Sequence, residues 1–141
     1  SNAELHFTRN RIRHDLIPLL QSQYNRNASE ALVRLGKHAA QVQEVVERLV
    51  AELFEKHVQD HGDHVAIACT PMEDTPKHIQ CELLIAIWKS QNWPLQAMSG
   101  EKWEQLAEMM SSQVLRERKA CFPGNVVAER ADDRLVLLRN R

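Results

Sequence analysis

The sequence predicts a mainly α-helical fold: a helical bundle built on one long central helix and ending in a short C-terminal β-hairpin. Three observations favour it. Glycine is scarce (4 of 141 residues) and aromatic residues make up 5% of the chain, which is typical of helices rather than of a sandwich or barrel. Apolar residues recur at alternating steps of three and four over residues 32–53, as on one helix face. The last 20 residues instead show two strand-like runs around an acidic loop.

The first helix is predicted over Thr8–Tyr24, with Thr8 as a suitable N-cap. Pro18 lies inside it and must kink the helix or begin a second segment, because proline has no N–H and clashes with the preceding turn. A turn is then expected at Asn25-Arg26-Asn27. The apolar residues on one face of this helix are Ile12, Leu16, Leu19 and Leu20.

The second helix is predicted from Asn27 to about Val58, and Asn27 with Glu30 fits a capping box. Its length suits either a central helix that crosses a bundle or a coiled-coil arm, so a homodimer through this helix is a second interpretation. The apolar stripe consists of Leu32, Leu35, Ala39, Val42, Val46, Leu49 and Leu53.

The remaining elements are shorter. A brief extended stretch is expected near Val65–Thr70 because apolar residues alternate there. One helix is predicted to begin at Thr75-Pro76 and to end near Asn92, with Thr75 as its cap and Pro76 as its first residue. Ser99 should cap a helix from Gly100 to about Ser112. The hairpin strands are predicted at residues 126–130 and 134–138.

The composition indicates a cytoplasmic protein without a membrane span. Apolar residues make up 43% of the chain, but no run approaches the roughly 20 residues that cross a bilayer, and no secretory signal is recognisable. The three cysteines, Cys69, Cys81 and Cys121, are scattered and lack a C-x-x-C spacing, which favours reduced thiols.

The net charge of −1 hides an uneven distribution of charged residues. Residues 1–40 hold six Lys/Arg against three Asp/Glu, residues 41–110 hold five against twelve, and residues 111–141 hold seven against four. A polyanion would therefore meet the ends of the chain rather than its middle, although charged helix faces are also commonly just solvated.

No recognised catalytic or phosphate-binding motif is present, so no catalytic residue and no cofactor are predicted within this chain. His57, His61 and His64 could hold zinc, since His57 and His61 would share a helix face. A polar helix end is the favoured interpretation of these histidines, and no metal site is predicted. Trp88, Trp93 and Trp103 could stack on bases, but core packing is favoured because they lie at apolar positions or beside Pro94.

The segment Phe7-Thr8-Arg9-Asn10-Arg11-Ile12-Arg13-His14 stands apart. Three guanidinium groups at a helix start oppose the helix dipole, at a cost of some tenths of a kcal/mol for each charge, which suggests that another interaction offsets it. Arginine forks suit phosphates and carboxylates. On these residues alone, an anion-binding segment and a solvated basic helix start are equally good interpretations.

This segment also carries a resemblance. Thr8 to Leu20 resembles the T-R-N-x-[IV]-R-[HN]-x-[IL]-[IL]-P-x-L stretch of tRNA(Ile)-lysidine synthases. Leu32, Arg34, Leu35 and Gly36 fit the family's following helix start, although Arg26 stands where the family usually has proline. Phe122-Pro123-Gly124 to Leu137 resembles the family's closing segment. The family's S-G-G-x-D-S phosphate loop is absent from this sequence.

The resemblance implies a fragment of such an enzyme without its N-terminal ATP-pyrophosphatase domain. Residues 1–3 are then expected to be an expression-tag scar, residues 4–26 a linker helix from the missing domain, and residues 27–141 the helical tRNA- and substrate-binding domain. The intact enzyme would use ATP and Mg to attach lysine to the wobble cytidine of tRNA(Ile), whereas this fragment alone would be inactive.

The resemblance also assigns candidate contacts. Arg9, Asn10, Arg11 and Arg13 would lie at the domain junction, where they could meet carboxylates of the ATP domain, nucleotide or tRNA phosphate, and these three remain unranked. Arg34, Lys37 and His38 would extend the basic surface. The expected partners are tRNA(Ile) and the protein's own ATP-pyrophosphatase domain, and a homodimer stays open as a further association. A helical dimerisation domain without an RNA role is the alternative, and an appendage of another ATP-pyrophosphatase-type tRNA enzyme is a third.

Overall fold

The computed structural model describes residues 8–111 and 119–140. They fall into two compact units, Ser1–Glu44 and Val45–Arg141, and the boundary lies within the longest helix. The predicted division between a linker helix and a binding domain at residues 26 and 27 concerns function and stays a prediction. Among the described residues, no helix is long and apolar enough to cross a membrane.

The described part of the first unit is helical. Residues 8–11 are α-helical, Ile12–Leu16 form a π-helical segment, and α1 spans Ile17–Gln23. Helix α2, Ala28–His57, begins after the turn that was predicted at residues 25–27. No residue from 8 to 44 is buried. The apolar face predicted for the first helix exists, but its large side chains are partly exposed: Ile12, Leu16 and Leu19.

Pro18 explains the π-helical segment before it. Proline cannot donate the backbone hydrogen bond that an α-helix requires at that position, and it occupies the first turn of α1. The N–H of Ile17 donates to the carbonyl of Ile12, five residues earlier, instead of to the residue four earlier. The sequence prediction of a kink or a second segment at Pro18 is therefore confirmed, because a π-helical turn precedes the proline and a new α-helical segment begins at Ile17.

The second unit combines helices with an antiparallel sheet. In chain order it contains the end of α2, β1 (Val58–Asp60), β2 (His64–Ala68), a 3-10 turn (Thr70–Met72), α3 (Lys77–Ser90), α4 (Gly100–Glu108), β3 (Lys119–Phe122), β4 (Val126–Ala131) and β5 (Arg134–Arg139). The strand order is β1-β2-β5-β4-β3, and every neighbouring pair is antiparallel.

The core lies between one face of this sheet and the helices. Side chains of a strand alternate between its faces, and Val65, Ile67, Leu135 and Leu137 all lie on the buried face. The helical residues of the core are Val50 from α2, Ile79, Leu83, Leu84, Ile87 and Trp88 from α3, and Trp103, Leu106 and Ala107 from α4. Burying each large apolar side chain contributes about 1.5–3 kcal/mol, so this unit supplies its own hydrophobic stabilisation.

The mainly α-helical fold with one long central helix is confirmed, but much of the apolar stripe along that helix is exposed to solvent. Leu35 and Val42 are 65% and 63% exposed, and Leu32 and Leu49 are 50% and 40% exposed. The later stripe residues Val46 and Leu53 do pack against the core. The spacing of apolar residues determines which of them share a helix face. It does not determine what packs against that face.

The predicted C-terminal hairpin is confirmed as β4 and β5, but it is part of a five-stranded sheet rather than an isolated pair. The extended stretch expected near residues 65–70 corresponds to β2. Strands β1 and β3 were not predicted, since they hold only three and four residues and present too few positions to show an alternation.

Two side chains fasten the turn between β4 and β5. The carboxylate of Asp133 accepts hydrogen bonds from the backbone N–H and the hydroxyl of Thr70. Its backbone carbonyl accepts from the N–H of Cys69 at 2.8 Å. The guanidinium of Arg130 donates to the carbonyls of Met109 and Met110, at 3.1 and 2.6 Å. The hairpin is thereby held to the segments that follow β2 and α4.

The predicted helix starts are nearly right. Ser99 caps α4 by accepting from the N–H of Lys102 at 3.4 Å, as expected. At α3 the cap is Pro76, with an extended ψ of 137°, and Lys77 is the first helical residue. The prediction of Thr75 as cap is thus one residue early, and the Thr75 hydroxyl donates to the carbonyl of Pro71 instead. Helix α4 ends at Glu108, before the predicted end at Ser112.

Candidate nucleic-acid interface

The candidate arginines lie on an exposed helical surface. Arg9, Asn10, Arg11 and Arg13 are all solvent-exposed. Among residues 8–111 and 119–140, the side chains of Arg9, Arg11 and Arg13 have no ion-pair or hydrogen-bond partner. The guanidinium groups therefore keep their donors available to an external acceptor such as phosphate or carboxylate.

The local backbone of this segment is unusual. Arg13 lies inside the π-helical segment Ile12–Leu16, together with His14 and Asp15. Short π-helical turns within α-helices occur frequently at functional sites. The sequence pointed to this segment through its arginines and Pro18, but an i→i+5 hydrogen-bond pattern has no sequence signature of its own.

The second part of the candidate surface lies at the start of α2. Arg34, Lys37 and His38 are exposed there, as predicted. Arg34 and Lys37 line one open concavity together with Ser29, Glu30 and Val33. A carboxylate therefore shares the concavity with two cations, and its net charge stays positive.

Among the described residues, the two parts line different concavities. Arg11 lines a different concavity, with Thr8, Ile12, Asp15, Leu16 and Leu19, and no residue lines both. The arrangement is a set of exposed cations spread along helices rather than a closed site. Such a surface suits an extended polyanion, whose phosphates repeat along its length.

Tyr24 is a surface residue that the sequence analysis treated only as a helix end. Its side chain is 76% exposed, and it precedes the exposed Arg26 in the turn between α1 and α2. The turn is held by hydrogen bonds to the carbonyl of Leu20 from the N–H groups of Tyr24 and Asn25, at 3.1 and 2.8 Å. An exposed aromatic ring beside an arginine can stack on a base; the available signal was the lone tyrosine within a polar turn.

Only His57 of the histidine cluster is helical. Helix α2 ends at His57, so the expected shared helix face of His57 and His61 is wrong. Instead, the rings of His61 and His64 stack with centroids 4.6 Å apart, and Asp63 Oδ1 lies 2.6 Å from His64 Nδ1. Within the described ranges, no group of three His, Cys, Asp or Glu residues could hold a metal ion.

Asp60, at the end of β1, is held as a carboxylate. The backbone N–H of Gly62 donates to it at 2.8 Å and the side-chain amide of Gln91 at 2.6 Å, and these hydrogen bonds lower the pKa of Asp60. Its partners tie the β1–β2 turn to the end of α3. The arrangement is structural, because both oxygens are committed to neighbouring groups of the chain.

The tryptophans belong to the core, as predicted. Trp88, Trp93 and Trp103 are at most 9% exposed. Trp88 contacts the other two edge-to-face, with ring centroids 4.8 and 5.2 Å apart. Such pairs add about 0.5–1.5 kcal/mol beyond area burial. None of the three rings is available to stack on a base.

Neither Cys69 nor Cys81 is an activated nucleophile. Cys69, Cys81 and Cys121 are free thiols. Burial raises the pKa of Cys69 to about 11 and also raises the pKa of Cys81. Since the thiolate is the reactive species, these shifts suppress the nucleophilicity of both groups.

Comparison with known proteins gives a relative for this chain. No family model matches the sequence. A tRNA(Ile)-lysidine synthase of Rhodopirellula baltica is 30% identical over 131 residues, an alignment that covers 80% of this chain. The match confirms the resemblance to this family. The chain spans about a third of that relative's length, 33%.

Proposed function

We propose that the chain is the tRNA-facing helical part of a tRNA(Ile)-lysidine synthase, the kind of enzyme to which it is similar. In this proposal the whole enzyme uses ATP to join lysine to the wobble cytidine of tRNA(Ile). This chain contributes the surface that holds the RNA. The observation that carries the proposal is the exposed segment Arg9–Arg13, whose guanidinium groups have no ion-pair partner within the described ranges, in a chain that is similar to such a synthase.

Electrostatics supports an RNA-binding role for the first unit. Residues 1–40 carry twice as many basic as acidic side chains, and the following 70 residues are strongly acidic. A tRNA is repelled from the acidic part and attracted to the basic part. Arg34 and Lys37 extend the cations of the first helix into α2. Phosphate contacts of this kind position an RNA without reading its sequence.

ATP chemistry is not assigned to this chain. The described residues provide no group of three ligands for a metal ion. The four glycines, Gly36, Gly62, Gly100 and Gly124, are isolated from one another and form no phosphate-cradling loop. We propose that nucleotide binding, Mg binding and the adenylation chemistry belong to the part of such an enzyme that this chain does not span.

Lysidine formation by the full-length enzyme tests the proposal. Replacement of Arg9, Arg11 and Arg13 by alanine should raise the KM for tRNA at least tenfold. A tenfold rise corresponds to about 1.4 kcal/mol of lost binding energy. The matched control replaces Arg48, Lys89 and Lys102, three exposed cations from the acidic part of the chain. Equal tRNA kinetics for the two triple variants would refute the role of the arginine segment.

Dimerisation through α2 is the second candidate function. The observation that favours it is the exposure of Leu35, Val42 and Leu49, which follow a heptad spacing. Sedimentation velocity of the chain would then show a salt-independent dimer that Leu35→Glu with Val42→Glu dissociates. A monomer at all concentrations would exclude this function, whereas it leaves the RNA-binding proposal intact.

A further inference from the structure

An apolar cleft lies between the second half of α2 and helix α3, within the second unit. Its volume is about 350 Å³. The α2 side of the cleft consists of Val46, Glu47, Val50, Ala51, Phe54 and Glu55, and the α3 side of Glu82, Ile85, Ala86 and Lys89. None of these residues belongs to the basic surface proposed to bind tRNA.

The floor and the rim of the cleft differ in chemistry. Val46, Val50, Phe54, Ile85 and Ala86 form an apolar floor, and all of them except the more deeply buried Val50 remain partly accessible. The rim carries three carboxylates and one ammonium group: Glu47, Glu55, Glu82 and Lys89. An apolar floor with an anionic rim selects for a ligand that is apolar on one side and cationic at its margins.

The dimensions of the cleft suit a helix. From Val46 to Phe54 the floor runs along about 12 Å of α2, at 1.5 Å per residue, which is a little over two helical turns. Side chains of two helices can line a groove into which a third helix packs through residues spaced three and four apart. A peptide helix of three to four turns would cover the whole floor.

The rim charge also excludes RNA as the occupant. Three carboxylates on one rim repel phosphate, and the surrounding residues 41–110 hold twelve acidic against five basic side chains. A protein segment, rather than the nucleic acid proposed above, is the ligand that this surface favours.

We infer that this cleft is a docking site for a cationic amphipathic helix of a protein partner. The apolar face of that helix packs on Val50, Phe54 and Ile85, and its flanking Lys or Arg side chains pair with Glu55 and Glu82. The inference is independent of the proposed RNA-binding function, because it involves other residues and a ligand of opposite charge.

The test uses the intact chain and two synthetic 14-residue helical peptides. One carries leucines and lysines in an amphipathic pattern, and the other has the same leucines with glutamates in place of the lysines. Binding of each fluorescein-labelled peptide is measured by fluorescence anisotropy at 0.1 M salt. The cationic peptide is expected to bind at least tenfold more tightly than the anionic one.

Three variants locate the binding site. Glu55→Lys combined with Glu82→Lys should weaken binding of the cationic peptide at least tenfold by reversing two rim charges. Ala51→Trp, at an exposed position of the cleft, should weaken it by obstructing the floor without changing any charge. Asp74→Lys combined with Glu104→Lys is the matched control, since both residues are exposed, lie outside the cleft and give the same change in net charge.

Circular dichroism melting of each variant verifies that it is folded before binding is measured. Loss of binding in both cleft variants but not in the control supports the inference. Absence of measurable binding to the wild-type chain, equal binding of the two peptides, or equal weakening by the cleft and control variants would each overturn it.

Discussion

The salt dependence of tRNA binding gives a quantitative test of the arginine segment. Each cation that neutralises a phosphate adds about −0.7 to −0.9 to the slope of log K against log salt concentration. Arg9, Arg11 and Arg13 are exposed and have no ion-pair partner among the described residues. Their replacement by alanine should therefore make the slope shallower by about 2.1 to 2.7.

The same reasoning gives the loss of affinity. We take the plots of log K against log salt concentration for the wild-type chain and the triple variant to meet near 1 M salt. The variant then binds tRNA about 100- to 500-fold more weakly at 0.1 M salt. Filter binding of labelled tRNA between about 0.05 and 0.5 M salt covers the required range. The control with Arg48, Lys89 and Lys102 replaced removes the same charge from the acidic part of the chain.

Two outcomes would refute the reasoning. An unchanged slope in the arginine variant would show that these guanidinium groups contact no phosphate. An equal change in the control variant would show that only net charge matters, not the position of the charge. A slope change near one would assign a single arginine to a phosphate.

Three further predictions concern the second unit and the thiols. Leu84→Ala should lower the free energy of unfolding, measured by urea titration, by about 2–5 kcal/mol because Leu84 is fully buried. Leu35 is 65% exposed, so Leu35→Ala should change that free energy by no more than about 0.5 kcal/mol. Equal losses in the two variants would contradict the described core. Hydrogen bonds from Thr70 lower the pKa of Asp133 below its ordinary 3.8. The ionised carboxylate therefore stabilises the fold above pH 3.8, and this stabilisation is lost as the pH falls through the lower pKa of the folded state. The melting temperature of Asp133→Asn should depend less on pH between pH 5 and pH 2 than that of the wild-type chain, and an equal dependence would contradict the prediction. Cys69 is fully buried and its pKa is raised to about 11, so at pH 8 it should react with a disulfide reagent much more slowly than the exposed Cys121 and should become reactive on unfolding.

The sequence predicted the helices better than the sheet. Helices α2 and α4 have strong periodic patterns and recognisable caps, such as Ser99, because their determinants lie within a few residues. Strands β1 and β3 depend on pairing with β2 and β4, which lie elsewhere along the chain. Two or three alternating side chains cannot be distinguished from a loop, so these strands become evident only in three dimensions.

The sequence predicted which residues belong to the candidate surface, but not how these residues are arranged in space. Arginine chemistry and the family resemblance identified Arg9, Arg11 and Arg13, and their exposure agrees with a binding role. Which face of α2 lies open could not be predicted, because Leu35 and Leu53 belong to the same heptad stripe and differ only in what packs against them. The cleft between α2 and α3 could not be predicted from the sequence either, since it is lined by residues more than 25 positions apart.

The distribution of aromatic residues gives each unit its own intrinsic spectroscopic signal. All three tryptophans lie in the second unit, and the single tyrosine, Tyr24, lies in the first. Tryptophan emission during denaturation consequently follows only the sheet-containing unit, whereas far-ultraviolet ellipticity follows the helices of both. If the transitions in tryptophan emission and in ellipticity coincide, the whole chain unfolds cooperatively. If they are separated, the arginine-bearing helices unfold at a different denaturant concentration from the sheet-containing unit.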